Sequence, residues 1–393
     1  MSEESVVIVN GARTPMGSMN GVLSPVATVD LGVTAIKAAL ERSNVPGDAV
    51  DEVFMGNVLQ AGVQQGPARL AAIRAGIHEG AGAVTLNKLC GSGMNAVTYG
   101  YDNIALGHAK IVVAGGMESM TNAPHLVMGA RTGVGTGPQR LEDHMFYDAL
   151  LSPYSDKLMG WHAQEVADEL GFTREDMDGY AIESLTRAKN AIDDGTLAEE
   201  IVPVVIKTRK GETLVEHDQQ PMTADIDKIP QLKPAFSKDG TVTPANSSSI
   251  SDGASALVMM SASEAEKRGL TPMVRVVAHS RHSHAPSHFT LAPVGAIEKL
   301  LVKTGWSIDD VDLFELNEAF AMVPMGAMKK LGIPHDKLNI YGGACAQGHP
   351  VGSSGSRIII TLMHAMKRLG KKRGIAAICI GGGEALATAI ELI

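Results

Sequence analysis

The chain has 393 residues, 45% hydrophobic and 20% charged, a composition typical of a globular protein of two or three domains. A net charge of −9 argues against nucleic-acid binding, which needs a basic surface to offset phosphate charge. No apolar run reaches about 18 residues, so no membrane span is predicted, and the first residues lack the pattern of a secretory signal. Three cysteines without a paired-cysteine motif indicate free thiols and no zinc site. We therefore expect a cytoplasmic protein.

Apolar strands alternate with helices along the chain, which predicts an α/β fold. The first half gives a strand at 6–9, a helix at 33–40, strands at 49–55 and 84–89, a helix at 94–106 and a strand at 111–114. Gly115 and Gly116 are expected to form a turn after that last strand. The second half gives a helix at 294–301, a strand at 310–316, a helix at 356–369 and a strand at 375–380.

The two halves repeat one another. Residues 261 positions apart match in one helix–strand block, as with Ala35 and Ala296, or Val50 and Val311. A second block repeats a glycine-rich turn, a helix and a strand. Chance similarity of generic α/β units is the alternative, but two blocks agree in order and nearly in register. The repeat predicts paired halves whose loops converge on one site. The irregular stretch between them, residues 120–249, is typical of a binding lid or loop domain.

Cys90 is the first candidate for chemistry. It lies where a strand gives way to Gly-Ser-Gly and a helix, and we expect the helix terminus to lower the pKa of its thiol. An inert buried cysteine is the alternative. His349, in a Gly-His-Pro turn, lies near the counterpart of Cys90 in the repeat, which suggests a thiolate–imidazole pair.

Three further residues are ambiguous on their own. Cys379 ends an apolar strand just before three glycines, where a core cysteine would be the ordinary interpretation. Asn317 closes a strand and could be a site residue or a helix cap. Cys345 is interpreted as structural.

Together these motifs resemble the thiolase family. The matching stretches are Asn87-Lys88-Leu89-Cys90-Gly91-Ser92-Gly93-Met94, Asn317-Glu318-Ala319-Phe320-Ala321, Gly348-His349-Pro350-Val351-Gly352 and Cys379-Ile380-Gly381-Gly382-Gly383. The resemblance covers the whole chain in the family's order and spacing, and four motifs in register make it specific.

The resemblance implies a five-layered α-β-α-β-α thiolase fold with two pseudo-symmetric halves. It implies an N-terminal half of residues 1–119 and about 250–270, a loop domain of 120–249 for coenzyme A (CoA) binding and oligomerisation, and a C-terminal half of 271–393. It also implies a homodimer or homotetramer.

The resemblance further implies an acetyl-CoA C-acetyltransferase of fatty acid metabolism, with acyl-CoA and CoA as partners and no metal or prosthetic group. Cys90 would be the nucleophile, His349 its base and Cys379 the acid/base. Asn317 would hold a water that, with His349, forms one oxyanion hole. The N–H groups of Cys90 and Gly381 would form the other.

The residues implied to bind substrate are Ser248, Phe236, Met159, Phe320 and Ala319.

Several positions depart from well-known short-chain members, namely Leu158, Gln219, Gln220, Pro244, Phe289 and Glu384. Phe289 is bulkier than the methionine expected there, and predicts a preference for acetoacetyl-CoA. The glutamines stand near an expected arginine, which leaves CoA binding weaker or dependent on other basic residues.

Two alternatives stay open: a 3-ketoacyl-CoA thiolase of broader chain length in β-oxidation or aromatic breakdown, and a non-catalytic thiolase-like protein that binds lipid or acyl groups. The presence of both cysteines and the histidine disfavours the second alternative.

Overall fold

The computed structural model describes residues 4–209 and 211–393. Its strands are β1 (Val6–Arg13), β2 (Gly17–Ser18), β3 (Glu52–Gly56), β4 (Gly82–Leu86), β5 (Ile111–Ser119), β6 (His125–Leu126), β7 (Glu142–Asp143), β8 (Val204–Thr208), β9 (Gly211–Val215), β10 (Ser251–Ser261), β11 (Val274–Ser283), β12 (Leu313–Leu316), β13 (Arg373–Ile380) and β14 (Glu384–Leu392).

Its helices are α1 (Thr28–Ser43), α2 (Pro67–Arg74), α3 (Ser92–Ala105), α4 (Met159–Glu169), α5 (Arg174–Asp193), α6 (Gln219–Thr223), α7 (Ala262–Lys267), α8 (Ala292–Thr304), α9 (Met322–Leu331), α10 (Ala344–Gln347) and α11 (Ser354–Leu369). Within the described ranges, no helix combines the length and apolar character needed to cross a membrane.

The main sheet follows the order β12-β13-β14-β11-β1-β10-β5-β3-β4, with the short β2 added beside β10. Its two halves join at β1 and β11, where Val7 pairs with Arg275 and Ile8 with Val274. In both halves a parallel pair lies at the outer side, β3 with β4 and β12 with β13. Strands of both halves share one buried cluster with α3 and α11.

Alternation of side chains along the strands separates three apolar layers. On β5, Ile111 and Val113 pack toward α1 and α2, whereas Val112 and Ala114 pack toward α3 and α11.

The second half alternates in the same way. On β13, Ala376 and Ile378 face α11, whereas Ile375 and Ala377 face α8. The result is helix, sheet, helix, sheet, helix, so the five-layered α-β-α-β-α expectation is confirmed.

One predicted turn is wrong. Gly115 and Gly116 do not end a strand, because β5 runs on to Ser119 and pairs these glycines with Ala256 and Ser255. At Gly116 a Cβ atom would collide with the backbone of Gly352. The missing side chain therefore serves close packing, and only the second glycine cluster forms a turn, between β13 and β14.

The segment between the halves packs against residues of the second half. Residues of α4 and α5, including Ala163 and Tyr180, share a buried cluster with Phe289 and Phe320 from the second half. The helix α5 is fixed by a capping box in which Thr173 and Asp176 bond each other's backbone N–H groups. The segment thus forms a packed wall over the site described below.

The close approach at Gly116 gives a stability prediction. Gly116→Ala should destabilise the fold by about 3 kcal/mol, because the new methyl meets backbone that cannot swing away. Gly179→Ala is the matched control. Gly179 lies inside α5 with open space around it, so alanine should stabilise by about 0.5–1 kcal/mol. Chemical denaturation measures both. Equal effects of the two substitutions would contradict the packing explanation.

Candidate active site

Cys90 lies in a tight turn between β4 and α3. The preceding residue, Leu89, has a φ of +47°, a left-handed conformation that is strained for a branched side chain. Ser92 holds the turn, because its hydroxyl accepts a bond from the Lys88 N–H at 2.9 Å and donates to the Leu89 carbonyl at 2.6 Å. This turn presents the thiol at the start of a helix, as expected.

His349 is held in one tautomer by the start of α11. Its Nδ1 lies 2.5 Å from the Ser354 Oγ, and Ser354 donates its own hydroxyl proton to the Pro350 carbonyl at 3.0 Å. A hydroxyl has a single proton, so Ser354 must accept a bond from Nδ1–H. The Nε2 atom of His349 therefore carries the free lone pair.

Asn317 follows β12 and lies beside that lone pair. Its Nδ2 is 3.5 Å from the Nε2 of His349, and its Oδ1 is 3.5 Å from the Nη2 of Arg357. A guanidinium can only donate, so the amide oxygen faces Arg357 and the amide nitrogen faces the imidazole.

The expectation of a lowered thiol pKa at Cys90 is wrong. Burial raises the pKa of Cys90 to about 11, although the N–H groups of Gly381 and of Cys90 itself oppose the rise by donating toward the sulfur. These two donors offset only part of the effect of the loss of water.

His349 and Cys379 are also kept uncharged. Burial, helped by the positive charge of Arg357, lowers the pKa of His349 to about 3. Burial, and then any negative charge on Cys90, raises the pKa of Cys379 well above its ordinary value. The resting site thus holds neutral thiols beside a neutral imidazole.

One cavity of about 230 Å³ is lined by most of the residues that the sequence predicts to be catalytic or substrate-binding. Its lining includes eight of them: Cys90, His349, Gly381, Ser248, Phe236, Met159, Phe320 and Ala319. Asn317 lies behind His349. Cys379 is fully buried in the cluster that contains Phe289 and Phe320.

Glu118 is a buried residue that sequence reasoning missed. It accepts bonds from the Asn57 amide and from the backbone N–H groups of Val58, Leu59 and Gly352. The bond to Gly352 ties the end of β5 to the turn that carries His349. Its signal in the sequence was a polar side chain at the end of an apolar strand, the same signal that singled out Asn317.

The departures near the site have structural roles of their own. Gln219 accepts bonds from the N–H groups of Ser18 and Val22, and Gln220 donates to the Cys345 carbonyl. Leu158 and Phe289 line the cavity.

The departure at Glu384 has a partner. Its carboxylate pairs with Lys88 at 2.7 Å, which links the turn that carries Cys90 to the glycine turn between β13 and β14. Among the described residues, no group of three or more histidine, cysteine or acidic side chains is arranged to hold a metal ion.

Comparison with known proteins agrees with this geometry. The family model described as "Thiolase, N-terminal domain" matches residues 6–263, and the one described as "Thiolase, C-terminal domain" matches 270–392. The chain is 45% identical to the cytosolic acetyl-CoA acetyltransferase of Mus musculus, over 99% of this chain and 98% of that protein. It is 44% identical to a probable acetyl-CoA acetyltransferase of Dictyostelium discoideum, over 99% of this chain and 94% of that protein.

A solved structure shows the same fold. The Acat5 thiolase from Ascaris suum, in complex with coenzyme A, superposes with a TM-score of 0.94 at 38% sequence identity. The match covers 99% of this chain and 100% of that one.

The buried, neutral His349 predicts a pH dependence of stability. Its pKa is about 3 when folded and ordinarily 6.5, so the stability it contributes is complete above pH 6.5 and is lost as the pH falls toward 3. Between pH 8 and pH 5 this loss should reach about 2 kcal/mol. A His349→Gln variant should lack this part of the loss, as urea unfolding at both pH values would measure. Parallel losses in the two proteins would contradict the assignment.

Proposed function

The chain belongs to the thiolase family, and from this premise we propose that it is an acetyl-CoA C-acetyltransferase. It joins two molecules of acetyl-CoA into acetoacetyl-CoA and free CoA, and catalyses the reverse thiolysis. The observation that supports this most directly is that Cys90 and His349 line one largely apolar cavity, with Asn317 beside His349 and Cys379 near enough to Cys90 for a charge on Cys90 to raise its pKa.

In the first half-reaction, the Cys90 sulfur attacks the carbonyl carbon of acetyl-CoA while its proton passes to His349 Nε2. The tetrahedral intermediate collapses, the carbon–sulfur bond to CoA breaks, and the proton leaves with CoA as a thiol. The products are an acetylated Cys90 and free CoA. The lone pair on Nε2 fits this role, because Ser354 keeps the other ring nitrogen protonated.

In the second half-reaction, Cys379 first gives its own proton to His349 Nε2, and the resulting thiolate removes a proton from the methyl of a second acetyl-CoA. The resulting enolate carbon attacks the acetyl group on Cys90, and the new carbon–carbon bond replaces the thioester bond. Cys379 keeps the proton taken from the methyl group, and His349 returns its proton to the Cys90 sulfur, which restores both neutral thiols. Thiolysis runs the same steps backward.

Two sets of donors stabilise the negative oxygens. The N–H groups of Cys90 and Gly381, which already point toward the Cys90 sulfur, serve the tetrahedral intermediate. His349, which carries a proton on Nε2 at this stage, serves the enolate together with a water held by Asn317. Removing one such donor typically costs about 2.7–4 kcal/mol of barrier height.

The CoA thioester enters through the cavity that lies beneath the segment between the halves, residues 120–249. Ser248 lies at its wall with its hydroxyl bonded to the Ala319 carbonyl, where it can contact the pantetheine arm. Phe236, Met159 and Phe320 supply apolar surface for the arm and the acyl group. No metal or prosthetic group takes part in these steps.

We further propose a cytoplasmic homodimer or homotetramer. Strand β4 is an edge of the sheet and exposes Val84, and Met128 and Leu141 are exposed apolar residues of the loop segment. Such surface favours self-association.

The two cysteines should separate the half-reactions. Mixing with acetyl-CoA should leave one acetyl group on Cys90 of the wild type and of Cys379→Ala, as intact-protein mass spectrometry would detect. Cys90→Ala should carry none. Both variants should lose acetoacetyl-CoA formation by at least about 10³-fold, since each lacks a group that reacts directly. Cys345→Ala is the control and should keep its activity. Absence of the adduct from wild type would favour the non-catalytic alternative.

Phe289 should limit chain length. Its ring lines the cavity and meets the Phe320 ring edge-on at a centroid distance of 6.3 Å. The wild type should cleave acetoacetyl-CoA faster than 3-ketooctanoyl-CoA. Phe289→Ala should raise the relative kcat/KM for the longer substrate by about 10-fold or more, because a filled pocket rejects each added methylene by about 1–3 kcal/mol. Faster cleavage of the longer substrate by the wild type would support the broader thiolase instead.

A further inference from the structure

Behind Asn317 lies a buried charged pair that the proposed mechanism does not use. Arg357, in the first turn of α11, and Glu315, on β12, are each 1% exposed. Burying a charge costs free energy unless the charge is closely paired. A buried guanidinium that is only loosely paired therefore suggests a function that outweighs this cost.

Arg357 is only weakly engaged by its acidic neighbour. Its Nη1 lies 3.9 Å from the nearest Glu315 oxygen, beyond hydrogen-bond distance. Neither oxygen of Glu315, nor the Nε and Nη1 atoms of Arg357, has a hydrogen-bond partner among the described residues. Burial also raises the pKa of Glu315 well above its ordinary value, which reduces the negative charge beside the guanidinium.

The polar contact that Arg357 does make points toward the site. Its Nη2 lies 3.5 Å from the Oδ1 of Asn317, whose Nδ2 lies 3.5 Å from the Nε2 of His349. The same first turn of α11 supplies Ser354, which sets the tautomer of His349. One helix end thus supports both groups that face the enolate.

We propose that Arg357 is a positioning residue for the enolate half-reaction: it fixes the orientation of the Asn317 amide and places a buried positive charge behind the enolate oxygen. The inference rests on the proposed function. Without the guanidinium, the amide can flip and turn its oxygen toward His349, which would repel a developing negative charge. In a site that excludes water, a fixed cation nearby stabilises that charge more strongly than it would in solution.

This role predicts an unequal effect on the two half-reactions. Acetylation of Cys90 uses the N–H groups of Cys90 and Gly381, which Arg357 does not touch, and the lone pair of His349, whose pKa the positive charge of Arg357 lowers. Loss of that charge should therefore not slow acetylation. Enolate formation uses Asn317 and His349. A residue that merely held the fold together would slow both steps by the same factor.

The test compares Arg357→Met and Arg357→Lys with wild type in two partial reactions. Exchange of labelled CoA into acetyl-CoA reports acetylation. Exchange of solvent deuterium into the methyl of acetyl-CoA reports enolate formation.

The matched control is Thr361→Val. Thr361 lies one turn further along the same face of α11 and bonds to Glu200 at 3.1 Å. Thermal unfolding of every variant checks that it folds, and the milder Arg357→Lys keeps the test open if methionine is not tolerated.

Arg357→Met should slow deuterium exchange by about 100-fold, the size typical of losing one donor to a developing oxyanion. Labelled-CoA exchange should fall by less than about 3-fold. Arg357→Lys keeps the positive charge but loses the planar set of guanidinium donors, so its rate of deuterium exchange should lie between those of wild type and Arg357→Met. Thr361→Val should retain both rates.

Equal losses in both exchanges, or unchanged deuterium exchange, would overturn the inference. A wild type that catalysed neither exchange would instead contradict the proposed function.

Discussion

The close contact between the N-terminal ends of α3 and α11 is the constraint on which the site depends. At Gly93 a Cβ atom would meet the backbone of Ser356, and at Gly355 it would meet the backbone of Met94. Only glycines let the two helices approach this closely. Because Cys90 lies just before α3 and His349 just before α11, this contact brings residues some 260 positions apart in the sequence into one cavity.

The burial of Cys90 and His349 beside this helix contact shifts the pKa values of both groups. Burial raises the pKa of Cys90 to about 11 and lowers that of His349 to about 3, so both groups resist the charge that proton transfer from sulfur to nitrogen would create. A preformed thiolate–imidazolium pair is therefore disfavoured. The proton must move as the new carbon–sulfur bond forms, when the sulfur no longer carries the full charge.

The sequence allowed the elements and most of the site to be predicted, because strands, helices and glycine turns have local signatures. The internal repeat by itself indicated that His349 lies near Cys90. The direction of the Cys90 pKa shift was missed, since it depends on burial by distant residues. Arg357 was missed because an arginine in a helix is usually a surface residue, and nothing local indicates that α11 lies between two sheets.

The proposed order of the two half-reactions agrees with the coupling between the cysteines. A negative charge on Cys90 raises the pKa of Cys379, so the two thiols compete to ionise. A Cys90 that has become a thioester can no longer ionise, and this competition ends. Cys379 is then the thiol free to give up its proton, at the stage when the second acetyl-CoA of the proposed reaction must be deprotonated. The same burial that keeps both thiols neutral thus ties the ionisation of Cys379 to the acetylation of Cys90.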